Sequence, residues 1–146
     1  MQLNKIAIVG LGSIGKRHLR LIKEIRPNIE VTLIRSGVGP SSPEENMATR
    51  VVFSIEEALK HDIDAAIISS PAPFHVDQAI ILIKSGVHLL IEKPLSDRLE
   101  NLDNLVRVAS KSNTKVMVGY VLRYDPAAIE FKKIIERDEI GDSMHI

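Results

Sequence analysis

Short runs of apolar residues alternate along this chain with segments in which apolar residues recur at helical spacing. Six of the runs are rich in Ile and Val, and they span residues 6–9, 31–34, 51–53, 65–68, 88–91 and 116–118. Most of them show no alternation with polar residues. This pattern predicts strands that are buried on both faces, as in a parallel sheet covered by helices.

The segments between these runs indicate crossover helices. Apolar residues repeat at helical spacing over residues 14–25 and again over 99–109. Ser54 followed by Glu57 is a capping-box pattern that predicts a short helix, and Pro73 is well placed to begin a helix that continues toward Gly86. The alternation predicts an α/β fold, a doubly wound parallel sheet in three layers (α/β/α) with strand order 3-2-1-4-5-6.

Two segments interrupt this alternation. Residues 36–46 read SGVGPSSPEEN, a composition typical of a long loop with at most a short helix, which we expect to be mobile. Beyond Gly119 the sequence predicts one further helix over 126–136. Met144 and Ile146 then begin an apolar-polar alternation that is typical of the start of a new strand.

Composition narrows the class of protein. Apolar residues make up 45% of the 146 residues, and 19 basic side chains balance 19 acidic ones. This is typical of an ordinary globular domain and gives no reason to expect nucleic acid as a partner. There is no cysteine, which excludes disulfides and thiolate sites and is compatible with a cytoplasmic location. No stretch approaches the roughly 20 apolar residues of a membrane-spanning helix, and we expect no metal site.

The glycine-rich turn after the first predicted strand indicates a nucleotide site. Gly10 permits a tight turn, Gly12 lets the backbone approach a pyrophosphate, and Gly15 allows the helix to pack closely on the strand. The first amides of the helix and its dipole would then stabilise the phosphate charge. The expected contact residues are Gly10, Gly12, Ser13, Ile14 and Gly15.

The end of the second predicted strand bears on the choice of cofactor. A site for NAD usually has Asp or Glu there for the ribose hydroxyl, whereas this chain has Arg35 followed by Ser36. Arg35 can pair with a 2′-phosphate and Ser36 can add a hydroxyl donor, which favours NADP over NAD. The alternative is that Arg35 is simply a solvated arginine.

The turn after the fourth predicted strand lies where strand order reverses, the position expected for the nicotinamide. Ser69, Ser70 and Pro71 begin this turn and His75 follows it, so all four are candidate contacts of the cofactor. A purely structural role remains equally open, because Ser-Pro is common in turns and His75 can cap or pack against the following helix. His18 lies on the apolar face of the first helix and is interpreted as a core residue outside the site.

Lys93 is the candidate acid/base group. It lies at the carboxyl end of the fifth predicted strand, after Glu92 and before Pro94, where it can be directed into a cofactor cleft. Desolvation or nearby cations there would adapt a lysine to proton transfer. A solvated lysine is the alternative, and the glycine turn on the same scaffold favours the catalytic interpretation.

These motifs together resemble the Gfo/Idh/MocA oxidoreductases. The resemblance rests on GLGSIGKRH at residues 10–18, SSPAPFH at 69–75, EKP at 92–94 and GYVLRYDP at 119–126, in the order and at the spacing of that family. It implies an N-terminal NAD(P)-binding Rossmann domain joined to a C-terminal open-faced sheet domain. It also implies hydride transfer between the nicotinamide and a sugar, a cyclitol or a sugar derivative.

The resemblance implies roles for individual residues as well. Lys93 takes the position of the family's acid/base lysine, Glu92 helps to place the nicotinamide ribose, and Arg123 lies near the nicotinamide end of the cleft beside Tyr124, which replaces the usual Phe. An Asp and a His of the C-terminal domain complete the substrate site in this family, so we expect this chain alone to be inactive.

The expected domain organisation follows from the same resemblance. Residues 1–120 form the cofactor domain, and residues 121–146 form a connecting helix and the start of a shortened substrate domain. The oligomeric state stays open. The alternatives are a non-catalytic NAD(P)-binding or scaffold module and a Rossmann-like methyltransferase, which would normally want an acidic residue near Arg35 and would leave Lys93 unexplained.

Overall fold

The computed structural model describes residues 3–141 and contains one six-stranded parallel sheet. Its strands are β1 (Lys5–Val9), β2 (Glu30–Ile34), β3 (Arg50–Val52), β4 (Ala65–Ile68), β5 (His88–Ile91) and β6 (Val116–Val118). They lie in the order β3-β2-β1-β4-β5-β6, which confirms the predicted topology. The alternation at Met144 and Ile146 falls outside the described residues.

Within residues 3–141, five α-helices and three short 3-10 helices accompany the strands, and the last of each kind follows β6. The α-helices are α1 (Ser13–Ile25), α2 (Ile55–Leu59), α3 (His75–Lys84), α4 (Leu102–Ser110) and α5 (Pro126–Glu136). The 3-10 helices span Pro43–Met47, Ala72–Phe74 and Val121–Tyr124. Helix α4 begins later than predicted because Asn101, with φ of 64°, adopts the left-handed conformation directly before it.

The helices cover the sheet as three layers. On one face, Leu19 of α1 packs with Ile8, Val31 and Leu33. On the other face, helices α2, α3 and α4 contribute buried side chains to a larger cluster that contains Val9, Ile68 and Ile91. The central strands are therefore buried on both sides, as their continuous apolar sequences predict.

Helix α1 contacts the sheet through only part of its predicted apolar repeat. Ile14, Leu21 and Ile25 remain 41%, 41% and 74% exposed, whereas Gly15 and Leu19 are buried. Residues 15 and 19 are four positions apart and so share one face of the helix. The glycine lets that face approach the strand closely, and Ile22 also packs against the cluster around Leu19.

The glycine turn, β4 and α1 meet at one crowded point. Gly10 has φ of +88°, and its amide donates to the carbonyl oxygen of Ile34 at 2.9 Å. The Ser69 hydroxyl lies 3.0 Å from the carbonyl oxygens of Val9 and Gly10. A Cβ at Gly15 would lie 2.2 Å from the Gly10 carbonyl oxygen and 2.8 Å from Ser69 Oγ. Only glycine permits this approach, which fixes where α1 begins.

Residues 36–46 form the predicted loop with a short helix, and ion pairs hold its second half. Glu44 of the 3-10 helix lies 3.1 Å from Lys16 Nζ and 3.4 Å from Arg20 Nη2, both on α1. A hydrogen bond from the Ser42 hydroxyl, one from the backbone and the contact with Lys16 lower the pKa of Glu44 from 4.5 to about 2. These contacts dock the 3-10 helix on α1, and the mobility of the loop stays a prediction.

Replacing Gly15 by Ala should destabilise the fold, because the new Cβ would overlap the Gly10 carbonyl oxygen. We expect the free energy of unfolding to fall by about 3 kcal/mol or more, as for an overpacked core. Gly12→Ala is the matched control, since nothing lies within 4 Å of a Cβ there, and it should cost less than about 1 kcal/mol. Denaturant unfolding of both variants is the measurement, and equal losses would contradict the close approach.

Acid should remove the contribution of Glu44. The folded-state pKa lies below the ordinary value of 4.5, so the stabilisation is present above pH 4.5 and is lost as the pH falls toward about 2. The difference in unfolding free energy between the wild type and Glu44→Gln should therefore be largest near neutral pH and shrink steadily below about pH 4.5. Glu24→Gln on exposed α1 surface is the control, and a pH-independent difference for Glu44→Gln would refute the assignment.

Candidate cofactor site

A cleft of about 900 Å³ opens at the carboxyl end of the sheet, beside the start of α1. Four segments line it, and three of them contain predicted site residues, the fourth being residues 53–56 after β3. The glycine turn contributes Gly10, Gly12, Ser13 and Ile14, the end of β2 contributes Arg35 and Ser36, and the turn after β4 contributes Ser69, Ser70 and Pro71. Residues far apart in sequence are therefore brought to one cleft, as expected for an open α/β sheet.

The glycine turn offers backbone donors to an anion. Gly12 is the N-cap of α1, and the first helical hydrogen bond runs from the Lys16 amide to the Gly12 carbonyl oxygen at 2.9 Å. The amides that precede Lys16 in the first turn have no carbonyl partner within the helix. No acidic residue lies in that turn, and nothing lies within 4 Å of a Cβ at Gly12. The backbone therefore fits a pyrophosphate without obstruction.

The two serines after β4 both have partners within the protein. Ser69 donates to the glycine turn, and the Ser70 hydroxyl donates to Oε1 of Gln78 at 2.6 Å. Gln78 lies on α3 and also lines the cleft. The pattern around the serines does not predict Gln78, because it becomes a neighbour of Ser70 only when the turn folds back on α3.

His75 lies inside the protein and does not line the cleft. It is 1% exposed, its Nδ1 is 3.0 Å from the carbonyl oxygen of Pro94, and its Nε2 is 2.6 Å from that of Ser70. Both neighbours are acceptors, so both contacts are hydrogen bonds only when each ring nitrogen carries a hydrogen. The sequence left open whether His75 contacts the cofactor or has a structural role. In the structure it links the turn after β4 to the segment after β5.

Arg35 lines the cleft, but its guanidinium group already contacts the protein. Nη1 forms an ion pair with the carboxylate of Glu45, and Nη2 donates to the carbonyl oxygen of Pro40 at 3.1 Å. The arginine is therefore not simply solvated. Glu45 is ten residues further along the chain, on the 3-10 helix, and no spacing rule predicts that it returns to the end of β2.

The segment after β5 carries Glu92 and Lys93, which lie outside the residues that line this cleft. Oε1 of Glu92 is 2.7 Å from Nε2 of His18, across 74 residues of sequence. The His18 side chain is 20% exposed and contacts a predicted site residue. Its position on the apolar face of the helix did not indicate this contact. Lys93 is exposed, and the peptide bond between Lys93 and Pro94 is cis. Arg123 is also exposed, on the 3-10 helix after β6.

Aromatic side chains add an apolar surface to the cleft. Phe53 and Phe74 line it and are 64% and 56% exposed. Phe53 is predicted as part of the third strand, but β3 ends at Val52 and leaves the ring beyond the sheet. Such exposed rings, with Val38 at 79% exposure, suit a flat apolar group.

Neither a metal site nor a membrane-spanning helix is found within residues 3–141. No group of three His, Asp or Glu side chains in this part of the chain is arranged to hold a metal ion. No helix in the same residues has the length and apolar character needed to cross a membrane.

Comparison with known proteins also finds an NAD-binding Rossmann domain. The family model GFO_IDH_MocA, described as an oxidoreductase family with an NAD-binding Rossmann fold, matches residues 4–120. The inositol 2-dehydrogenase of Rhizobium meliloti is 28% identical over 144 residues, which cover 94% of this chain and 42% of that protein. A 4-carboxy-2-hydroxymuconate-6-semialdehyde dehydrogenase of Sphingobium is 29% identical over 84% of this chain and 40% of its own length.

Solved structures show the same architecture. The myo-inositol 2-dehydrogenase of Lactobacillus plantarum superposes with a TM-score of 0.84 at 25% identity, over 97% of this chain and 43% of that one. The scyllo-inositol dehydrogenase of Lactobacillus casei, solved with bound NAD(H) and scyllo-inositol, gives a TM-score of 0.81 at 26% identity, over the same shares of the two chains. This chain therefore spans less than half the length of these relatives.

Replacing His75 by Phe should destabilise the fold, because the carbonyl oxygens of Ser70 and Pro94 would face an apolar ring. Leaving a buried polar group without its partner costs about 1–3 kcal/mol, and we expect a loss in that range or above it. His61→Phe is the control at a partly exposed histidine. Thermal and denaturant unfolding test the pair, and a His75→Phe variant as stable as the control would show that the two contacts do not stabilise the protein.

Proposed function

Since the chain belongs to the Gfo/Idh/MocA family of oxidoreductases, we propose that it is the cofactor-binding domain of an NAD(P)-dependent dehydrogenase. The observation that supports this most directly is the cleft itself. The glycine turn and the open first turn of α1 lie at one end, and the turn after β4 lies beside them. The relative from Lactobacillus casei, solved with NAD(H), has the same fold.

The proposed binding mode assigns the pyrophosphate to the first turn of α1. Gly10, Gly12 and Gly15 shape the backbone there, and Ser13 and Ile14 supply amides. Arg35 and Ser36 would contact the adenosine ribose. NADP would be the preferred cofactor and NAD the second choice. Ser69, Ser70 and Pro71 would lie toward the nicotinamide. His75 would support their turn through the contact of its Nε2 with the Ser70 carbonyl oxygen.

We propose Lys93 as the acid/base group of the complete enzyme. When bound, the nicotinamide would accept a hydride from a CH–OH carbon or return it to a carbonyl carbon. Lys93, as the neutral amine, would accept the proton of the substrate hydroxyl during oxidation and would return it during reduction. Glu92, held by His18, would help to place the nicotinamide ribose, and Arg123 would lie near the nicotinamide end. The proposed substrate is a sugar, a cyclitol or a sugar derivative.

The substrate site would be completed by residues of a second domain, with residues 121–146 as the connection to it. The chain spans 40–43% of the length of its relatives, and the apolar side chains of Val121, Leu122 and Phe131 are 67%, 70% and 58% exposed. Both facts support a larger protein. We therefore expect this chain alone to bind the cofactor without turning over a sugar. The predicted cytoplasmic location stays a prediction.

Calorimetric titration of the chain with NADPH and then NADH, at fixed salt, tests the proposal. We expect saturable binding of both, with NADPH tighter. Gly12→Val should weaken both by roughly 100-fold or more, about 2.7 kcal/mol, because the side chain would occupy the space of the pyrophosphate.

Circular dichroism should show that Gly12→Val keeps its fold, since a Cβ at that position contacts nothing. S-adenosylmethionine is the competing ligand. If it bound in preference to both nicotinamide cofactors, or if Gly12→Val bound them as tightly as the wild type, the proposed function would be wrong.

A further inference from the structure

The cation at the end of β2 is neutralised by the protein itself. Arg35 is the charged side chain that the cleft offers to an anion near the predicted ribose position. Its Nη1 is paired with Glu45 and its Nη2 with the carbonyl oxygen of Pro40. The Arg35 and Glu45 side chains are only 15% and 18% exposed, so solvent screens this pair less than a pair on the open surface.

Glu45 is held beside Arg35 by contacts that do not involve the arginine. Its Oε1 accepts a hydrogen bond from the Ser42 amide at 2.9 Å, and its own amide donates to the Ser42 carbonyl oxygen at 2.9 Å. The preceding residue, Glu44, docks the same 3-10 helix on Lys16 and Arg20 of α1. The carboxylate is therefore placed in advance, and little further ordering is needed for it to pair with the guanidinium.

The pair affects the two cofactors differently. A 2′-phosphate carries one to two negative charges, so binding it at Arg35 requires that Glu45 leave the guanidinium or remain beside a like charge. A 2′-hydroxyl is neutral and meets no such repulsion. A carboxylate near the ribose is also the group that NAD sites use to accept this hydroxyl. The repulsion between Glu45 and the 2′-phosphate weakens binding of NADP. Neither this repulsion nor the contact with the 2′-hydroxyl weakens binding of NAD.

We propose that Glu45 is a specificity-determining residue, which limits the preference of the cleft for a 2′-phosphorylated cofactor by occupying Arg35. The inference rests on the proposed function, since it concerns the cofactor of that site. The wild-type chain then discriminates between NADPH and NADH less than its arginine alone would, and it accepts both.

The test compares Glu45→Gln with Glu24→Gln by calorimetric titration with NADPH and NADH at fixed salt. The two substitutions remove the same charge, but Glu24 lies on the exposed surface of α1, whereas Glu45 contacts Arg35. Glu45→Gln should tighten NADPH binding about tenfold, about 1.4 kcal/mol, and leave NADH within about twofold or weaken it. Glu24→Gln should leave the ratio of the two affinities at the wild-type value.

A double-mutant cycle shows whether the effect passes through the arginine. In an Arg35→Gln background, Glu45→Gln should no longer change the ratio of the two affinities. If it changed the ratio there as much as in the wild type, Glu45 would act by another route and the proposal would be wrong. Glu45→Ser removes the carboxylate by truncation and replaces Glu45→Gln if circular dichroism shows that the amide variant is misfolded.

The outcomes separate this inference from the proposed function. Wild-type binding of both cofactors with an unchanged ratio in Glu45→Gln, or an equal change in Glu24→Gln, would overturn the role of Glu45 alone. Failure of the wild type and of every variant to bind either cofactor would overturn the proposed function and the role of Glu45 with it.

Discussion

The close approach of α1 to the end of β1 is the constraint on which the rest of the site depends. A Cβ at Gly15 would lie 2.2 Å from the Gly10 carbonyl oxygen, so the helix can begin where it does only because that atom is missing. Ser69 then joins the same point from β4 through its hydroxyl. The end of β1, the start of α1 and the sequence-distant end of β4 thus fix the direction of α1, and its open first turn faces the cleft as a result.

Electrostatic pairing within the protein decides how much charge this cleft offers. Arg35 is paired with Glu45, whereas Glu92, which lies outside the cleft lining, is 2.7 Å from Nε2 of His18. The arginine at the end of β2 is therefore partly neutralised before anything binds. The amides at the start of α1 have no such partners within the helix. A ligand phosphate would meet backbone donors first, and the paired side chains would adjust which cofactor is preferred.

How far the sequence predicts this molecule depends on the range of the interaction. The strands around Ile8 and Ile67 are predicted correctly because uninterrupted apolar runs have few alternatives to a buried strand. The contact face of α1 is predicted in part. The glycine motif predicts the close packing at Gly15, whereas helical periodicity gives no reason for Ile14 and Leu21 to stay 41% exposed.

The sequence by itself determined the order of the elements, the parallel sheet and the glycine turn, because each depends on residues within one strand or one turn. Only the tertiary structure decided which side chains meet in the site. Glu45 reaches Arg35 across ten residues, and His18 reaches Glu92 across 74. The physical reason is that a hydrogen bond or ion pair requires two groups within a few ångströms of each other. That distance is set by how helices and loops pack on the sheet, and spacing along the chain does not contain it.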